Sequence, residues 1–370
     1  MPVTDVLRKR IGAAVIERVA GPRTRAPGAL TRIPEADRWF AADRPIRQVH
    51  NDCAMFVGGI AALLLQSLHP LAMAAVADHS GYRADPWGRL QRTSHFIAAT
   101  TFGRKEDALA AIAKVSAIHA HVTGTAPDGR PYAAADPHLL TWVHVAEVYA
   151  FLHAYEAYGE RPLSQAARDG YVADMALIAA ELGVPAPPRT EAEVLAVIDR
   201  YRPELAGTPQ AWEAARFLLR EPPLPLVLRP VYAGLAMAAV ALLPRWARHE
   251  LKVPELPLAD VVLARPAGHL TVNAIRWGIS AQRLRGPGDA DQVAFRIGEV
   301  ADYQACRCPL GSHLALAAQA LGFGQGRLDI GHADVEDDVA RVAGTPADAA
   351  RDAGPVGGGD AVNEAVVRWL

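Results

Sequence analysis

Histidine is concentrated in less than a third of this 370-residue chain. Nine of the 13 histidines lie between His50 and His153. Histidine is the commonest metal ligand and the usual acid–base residue near neutral pH. A single histidine is more often a hydrogen-bonded structural residue than a ligand. The cluster therefore predicts one cofactor or metal site with a few true members, and helical spacing must select them. The nine are His50, His69, His79, His95, His119, His121, His138, His144 and His153.

Helical spacing separates the histidines near the middle of this stretch. His119 and His121 are two residues apart, so they do not share a helix face. If His119 lies on the apolar side of its helix, His121 points elsewhere. His144 lies on the next predicted helix, with Glu147 three residues later and therefore on the same side.

Arg89 and Thr93 form the second candidate pair. They are four residues apart, so both project from one face of a predicted helix that begins near Gly88. An arginine that points into an apolar region needs a partner, because an isolated buried charge is very costly. Asp85, Glu147 or the carboxylate of a bound cofactor would each satisfy Arg89, and the sequence leaves these alternatives open.

The elements that must position these side chains are helices. Hydrophobic residues make up 51% of the chain, and they are mostly Ala, Leu and Val, of which Ala and Leu are strong helix formers. Asp136-Pro137 is a typical helix start and Gly103 a typical stop. No sustained strand alternation occurs. The sequence predicts an all-α fold with an N-terminal helix and loop in residues 1–50, a main domain in 51–285 and a partly flexible C-terminal extension in 286–370.

Charge and cysteine content exclude several classes of protein. The formal net charge is −2 and the isoelectric point is near 6.7, so neither a nucleic-acid binder nor a polybasic membrane-surface protein is expected. Three cysteines are too few for a disulfide framework. The N-terminal stretch mixes acids and bases with apolar residues and lacks the apolar core of a signal peptide. A cytoplasmic, reduced protein is expected.

Two apolar stretches of the sequence are candidates for membrane-spanning segments. Residues 58–77 are interrupted by polar residues and Pro70, and residues 231–243 are closed off by Pro230 and Pro244. A spanning helix needs about 20 apolar residues, so buried core helices are favoured and no integral membrane segment is expected.

Several catalytic motifs are absent from the sequence. It contains no phosphate-binding loop, no dinucleotide fingerprint after a strand, no nucleophile elbow and no H-E-x-x-H zinc motif. A di-iron bundle would need two Glu-x-x-His motifs, whereas the chain has only the reversed His144-x-x-Glu147. A mononuclear, histidine-ligated cofactor in an apolar helical pocket fits best.

An ordered set of short motifs runs through the same region and continues into Tyr171-Val172 and Leu182-Gly183-Val184-Pro185. With these motifs the chain resembles the MpaB-like and rubber (latex-clearing) oxygenase family of haem b proteins, over roughly residues 45–285. The resemblance implies a single helical domain with a globin-like core around a haem pocket. The motifs are Leu65-Gln66-x-x-His69-Pro70, Asp78-His79-Ser80, Asp85-Pro86-x-Gly88-Arg89-Leu90-x-Arg92-Thr93, Phe102-Gly103, His119-x-x-Val122-x-Gly124, Asp128-Gly129-x-x-Tyr132 and Asp136-Pro137-x-Leu139-Leu140-x-Trp142-Val143-His144.

The resemblance also implies a role for individual residues. His119 matches the histidine that binds the haem iron on the proximal side. Arg89 and Thr93 match an arginine and a threonine near the haem on its other side, Arg89 for a propionate or the oxidant and Thr93 as a hydrogen-bond donor. His144 matches a position that is expected to support the site from outside the first ligand shell.

The chain departs from rubber-cleaving relatives at two points. Some relatives carry, directly before the threonine, a lysine that can occupy the distal iron position; this chain has Arg92, which stays protonated and cannot bind iron. The distal position is then open, filled by water, or occupied by another group such as His95. No acid matches the spacing of the expected base, for which Asp78 and Asp85 are the candidates.

The leading hypothesis is a haem-dependent oxidoreductase of the oxygenase type that uses dioxygen or peroxide on a small apolar substrate, with unsaturated compounds among the candidates. Pocket walls of this kind are mostly apolar, and Leu65, Met73, Phe96 and Trp142 are candidates, with ordinary core packing as the alternative for each. Two other functions remain open. One is a haem- or apolar-ligand-binding module without turnover. The other is a non-haem metalloprotein that uses His119, His144 and a nearby carboxylate such as Glu147. The sequence does not specify the oligomeric state.

Overall fold

Twelve α-helices and one short hairpin make up most of the residues that the computed structural model describes, which are 33–253 and 260–283 and lie in one compact unit. The helices are α1 (Pro45–His50), α2 (Met55–Gln66), α3 (Pro70–His79), α4 (Pro86–Phe102), α5 (Lys105–His119), α6 (Pro137–Tyr158), α7 (Gln165–Glu181), α8 (Glu191–Tyr201), α9 (Pro209–Arg220), α10 (Arg229–Leu242), α11 (Arg245–Glu250) and α12 (Arg265–Arg283), and the strands are β1 (Thr123–Thr125) and β2 (Pro131–Ala133).

The prediction of an all-α fold is confirmed. The hairpin is the exception, because β1 and β2 pair antiparallel where the sequence indicated a loop around Asp128-Gly129. The N-terminal helix predicted within residues 1–50 and the extension predicted for 286–370 lie outside the described residues. The proposed domain boundaries therefore stay predictions.

Helix starts follow the local chemistry of the chain. Asp85 accepts a hydrogen bond from the backbone N–H of Gly88, and Asp136 accepts one from that of His138. In both cases a proline occupies the first helical position, where a missing N–H costs nothing. The α4–α5 turn falls at Gly103, as expected from the sequence.

The core is built around α2 and the 22-residue α6, which make the most extensive helix–helix contact among the described residues. Val57, Leu64 and Leu65 of α2 are buried against the face of α6 that carries Val148 and Leu152. Consecutive turns of α6 thus contribute apolar side chains to the same cluster. Burying each of these side chains stabilises the fold by about 1.5–3 kcal/mol.

Two adjacent glycines of α2 give a matched test of this packing. A Cβ at Gly58 would lie 2.6 Å from Phe151 Cδ1 and 3.1 Å from Phe151 Cα, whereas a Cβ at Gly59 would meet nothing within 4 Å. Gly58→Ala should destabilise the protein by about 1–3 kcal/mol through overpacking. Gly59→Ala should stabilise it by about 0.5–1 kcal/mol through helix propensity. Chemical denaturation measures both, and equal effects of the two changes would contradict the close α2–α6 approach.

Among the described residues, no single helix has both the length and the apolar content to cross a bilayer. Helices α2 and α3 meet that test only when taken together, and the chain bends by 108° between them.

Candidate functional site

Helices α4 and α5 are joined by a short turn and pack against each other as a helical hairpin. Arg89 lies on α4, 15 residues before the turn residue Arg104, and His119 ends α5, 15 residues after it. Thr93 lies one helical turn beyond Arg89. The three residues that the sequence places around one cofactor therefore lie on this one hairpin.

His144 and Glu147 lie on α6, which packs against α7. Helix α7 also contacts α5, whereas neither α4 nor α5 has an extensive direct contact with α6 among the described residues. Helix α7 therefore connects the α4–α5 hairpin to α6.

His119 is the last residue of α5, and its ring is half-buried. Burial lowers the pKa of His119 from its usual value. Its side chain has no hydrogen-bond or ionic partner among the described residues. The ring is therefore neutral at pH 7, with a nitrogen lone pair available to a ligand. His121 is exposed, and it lies in the turn after the helix rather than on another face of it.

Arg89 is a deeply recessed cation without a carboxylate partner among the described residues. Its Nη1 donates a hydrogen bond to Ser80 Oγ at 2.5 Å. Burial, and the like charge of Arg92, lower the pKa of Arg89 to about 10. Asp85 is paired with Arg92 instead, at 3.3 Å, and no ion pair joins Glu147 to Arg89. Neither Asp85 nor Glu147, the two acids that the sequence offered as partners of Arg89, therefore pairs with it in the described structure.

The end of α3 connects Arg89 to the β-hairpin. Ser80 follows Asp78 and His79, which both bind Tyr132 of β2: the Tyr132 hydroxyl donates to Asp78 Oδ2 at 2.6 Å and lies 3.1 Å from His79 Nε2. Asp78 therefore anchors the hairpin, and Asp85 caps α4. Both acids considered as catalytic bases are engaged in structural contacts.

His144 and Glu147 are one turn apart on α6, and burial shifts their pKa values in opposite directions. The Nε2 atom of His144 is buried without a hydrogen-bond partner among the described residues, and burial lowers the pKa of His144 to about 4. Burial raises the pKa of Glu147 to about 7, although solvent still reaches part of this side chain. A carboxyl group that is both recessed and accessible is suited to proton transfer near neutral pH.

Three further polar residues form a buried network beside these groups. His50 Nδ1 lies 2.8 Å from Thr101 Oγ1, and His50 Nε2 lies 3.2 Å from the Tyr171 hydroxyl. Burial lowers the pKa of His50 to about 3, and the nearby charge of Glu147 helps to raise that of Tyr171. Helices α1, α4 and α7 meet here. Sequence reasoning missed this network, since its members are up to 121 positions apart and follow no periodic pattern.

The remaining predicted residues are placed as follows. Thr93 is exposed, with its hydroxyl unbonded to any described residue. Leu65, Met73 and Trp142 are buried in the main core, where the Trp142 indole donates to the Gln66 carbonyl oxygen. Phe96 is partly buried against the same core. Ordinary core packing is thus the better account of these apolar residues.

The ligand set of the non-haem alternative is not brought together in the described structure. The ligand atoms of His119, His144 and Glu147 do not all lie within 4.8 Å of one another in the described structure, so the three residues cannot share one ion as they stand. A cofactor that needs a single imidazole ligand and carries carboxylates of its own fits better. It would use the free imidazole of His119 and the unmatched charge of Arg89.

Residues 47–277 match the sequence profile of the "ER-bound oxygenase mpaB/B'/Rubber oxygenase, catalytic domain" family. The chain belongs to this family. The match contains every candidate site residue discussed above, from His50 to Tyr171, and it confirms the family resemblance inferred from the motifs. No curated protein and no solved structure matches the chain significantly. The chain therefore carries an oxygenase catalytic domain.

Proposed function

We propose that this protein is a haem-dependent oxygenase that holds haem b between the α4–α5 hairpin and α6. The proposal rests on two side chains of that hairpin, His119 and Arg89. One offers a neutral imidazole without a partner and the other a cation without a carboxylate. Haem b needs one axial ligand and brings two propionates, so it satisfies both.

When bound, haem supplies the redox chemistry that activates the oxidant, which no side chain of the chain can supply by itself. The residues have separate tasks. His119 would donate a nitrogen lone pair to the iron. Arg89, held in place by its hydrogen bond to Ser80, would pair with a propionate. Thr93, exposed one turn away, would donate a hydrogen bond to the oxidant.

Helix α6 contributes the proton chemistry. With a pKa near 7, Glu147 accepts or releases a proton at physiological pH, whereas Asp78 and Asp85 are held in structural contacts. His144 stays neutral and polar beside it. The substrate is a small apolar compound and the oxidant dioxygen or peroxide, in a cytoplasmic protein.

Oxygen uptake tests the proposal. Protein loaded with haemin and then reduced should consume dioxygen only when a small unsaturated hydrocarbon is added, and mass spectrometry should find oxygen in the product. Peroxide replaces dioxygen in a parallel assay. Haem binding with no uptake and no product in either assay would contradict an enzyme and favour the haem- or ligand-binding module.

A further inference from the structure

Three side chains that the proposed haem site does not use converge where α2 ends and α3 begins. They are His69, His138 and Glu204, and their ligand atoms all lie within 4.8 Å of one another. Oε2 of Glu204 lies 2.7 Å from His138 Nε2 and 3.6 Å from His69 Nε2. Two atoms bound tetrahedrally to one ion at the usual metal–ligand distances are about 3.3 Å apart, so this spacing suits a shared cation.

His69 is the most informative member of this group. It is only 1% exposed, and neither ring nitrogen has a hydrogen-bond partner among the described residues. Buried polar groups are normally hydrogen-bonded. An imidazole whose Nε2 lies 3.6 Å from a carboxylate oxygen, beyond hydrogen-bond distance, is the arrangement that an intervening metal ion would satisfy.

His138 presents its Nε2 atom to the same carboxylate. The Tyr201 hydroxyl donates to the His138 carbonyl oxygen at 2.8 Å, and it also lies 3.2 Å from His138 Nδ1. In the tautomer that carries its proton on Nδ1, this nitrogen donates to Tyr201 and the Nε2 lone pair faces Glu204. A lone pair 2.7 Å from the carboxylate of Glu204 requires a proton or a metal cation between them.

The backbone holds the three residues in place without the ion. Each adjoins a proline, in His69-Pro70, Pro137-His138 and Pro203-Glu204, and proline restricts its own φ angle and the conformation of the residue before it. The Ala206 N–H donates to the Leu68 carbonyl oxygen at 2.9 Å, which ties the segment that carries Glu204 to the segment that carries His69.

The site is open on one side. His138 and Glu204 line a surface pocket of about 270 Å³ together with Thr141, Val197, Arg200 and Tyr201. Two cations lie near the site: Arg200 lines the pocket, and Arg130 is paired with Asp128 at 2.7 Å. Three protein ligands with an open side leave coordination positions for water or a small ligand.

We propose that His69, His138 and Glu204 form a binding site for one divalent transition-metal ion of the zinc class. Two imidazoles and one carboxylate are a borderline-soft ligand set that favours zinc and its first-row neighbours over calcium or magnesium. The Tyr201 hydroxyl serves as the outer partner that orients His138. The site is independent of the haem proposal, because it shares no residue with it.

A second group, His153, Glu156 and Glu191, also brings its ligand atoms together. Its members already have partners, since His153 Nδ1 bonds the Tyr149 carbonyl oxygen and both acids pair with Arg168. We propose no metal site there, and His153 serves as the control position in the zinc-binding test.

Zinc binding by the full chain tests the site. The purified protein, dialysed against a chelator and then against buffer, is titrated with zinc chloride by calorimetry, and bound zinc is counted by elemental analysis. The wild type should bind one equivalent at this site and melt at a higher temperature with zinc. His138→Gln and Glu204→Gln should weaken that binding by more than about 100-fold, while His153→Gln should leave it unchanged. Both test residues are half-exposed, so the variants should fold.

Circular dichroism of the zinc-free variants confirms folding. Zinc uptake that is equal in His138→Gln, Glu204→Gln and the wild type would overturn the proposal, because the ion would then bind elsewhere. Absence of any uptake by the wild type would overturn it too, and would leave a His138–Glu204 ion pair as the account of the 2.7 Å contact.

Discussion

Replacing His119 by alanine is expected to weaken haem binding by at least about 100-fold, or 2.7 kcal/mol. In the proposed site the imidazole of His119 forms the only bond between the protein and the iron. Its loss leaves only apolar contacts and Arg89 to retain the cofactor. The measurement is a haemin titration followed in the Soret region. Free imidazole at millimolar concentration should restore part of the spectrum, because it fits the space vacated by the side chain and supplies the same nitrogen.

His121→Ala is the matched control for this prediction. It removes the same side chain two residues away, from an exposed position, and should bind haemin as the wild type does. Equal haem affinity of the His119→Ala variant and the wild type would show that another group holds the iron, with His95 and His144 the next residues to replace.

Replacing Glu147 by glutamine is expected to lower turnover by about 100-fold or more, the usual worth of a positioned acid or base. If Glu147 acts as the base, wild-type activity should rise with pH through about 7, the pKa to which burial raises this carboxyl group. The variant should show a low, flat profile with unchanged haem content. Glu156→Gln, on an outward face of the same helix, should keep both the rate and the inflection.

The same change has an opposite effect on stability. In the folded state Glu147 has a pKa near 7, against 4.5 in the unfolded chain. Between these values the folded state binds more protons than the unfolded state, so the wild type loses stability as pH rises from about 4.5 to 7. Glutamine never ionises. Glu147→Gln should therefore gain in melting temperature relative to the wild type across this interval. A constant difference from pH 5 to 8 would mean that Glu147 is not desolvated.

Local rules predicted the helices well, because the signals are contained in a few residues. Asp136-Pro137 and Gly103 mark helix ends whose hydrogen bonds are made within one turn. His119 and His121 are separated for a different reason than the one expected, because α5 ends at His119 and His121 lies in the following turn. The hairpin of β1 and β2 was missed because strands of three residues are too short to show alternation.

Contacts between distant segments were not predictable in the same way. The sequence offered Asp85 and Glu147 as partners for Arg89, but the folded chain gives Asp85 to Arg92 and leaves Arg89 with Ser80. His69 and His138 appeared only as members of a histidine-rich stretch, and nothing in the sequence linked them to Glu204, which lies 66 positions after His138. Such pairings depend on how α2, α6 and α8 pack.

An equilibrium titration of the haem-free full chain with haemin shows most directly whether the protein holds one haem b at His119. We expect a Soret band that grows to one equivalent per chain and shifts from the position of free haemin. This band should be lost in His119→Ala but kept in His121→Ala. A spectrum that stays that of free haemin at every ratio, or a band unaffected by either substitution, would contradict it.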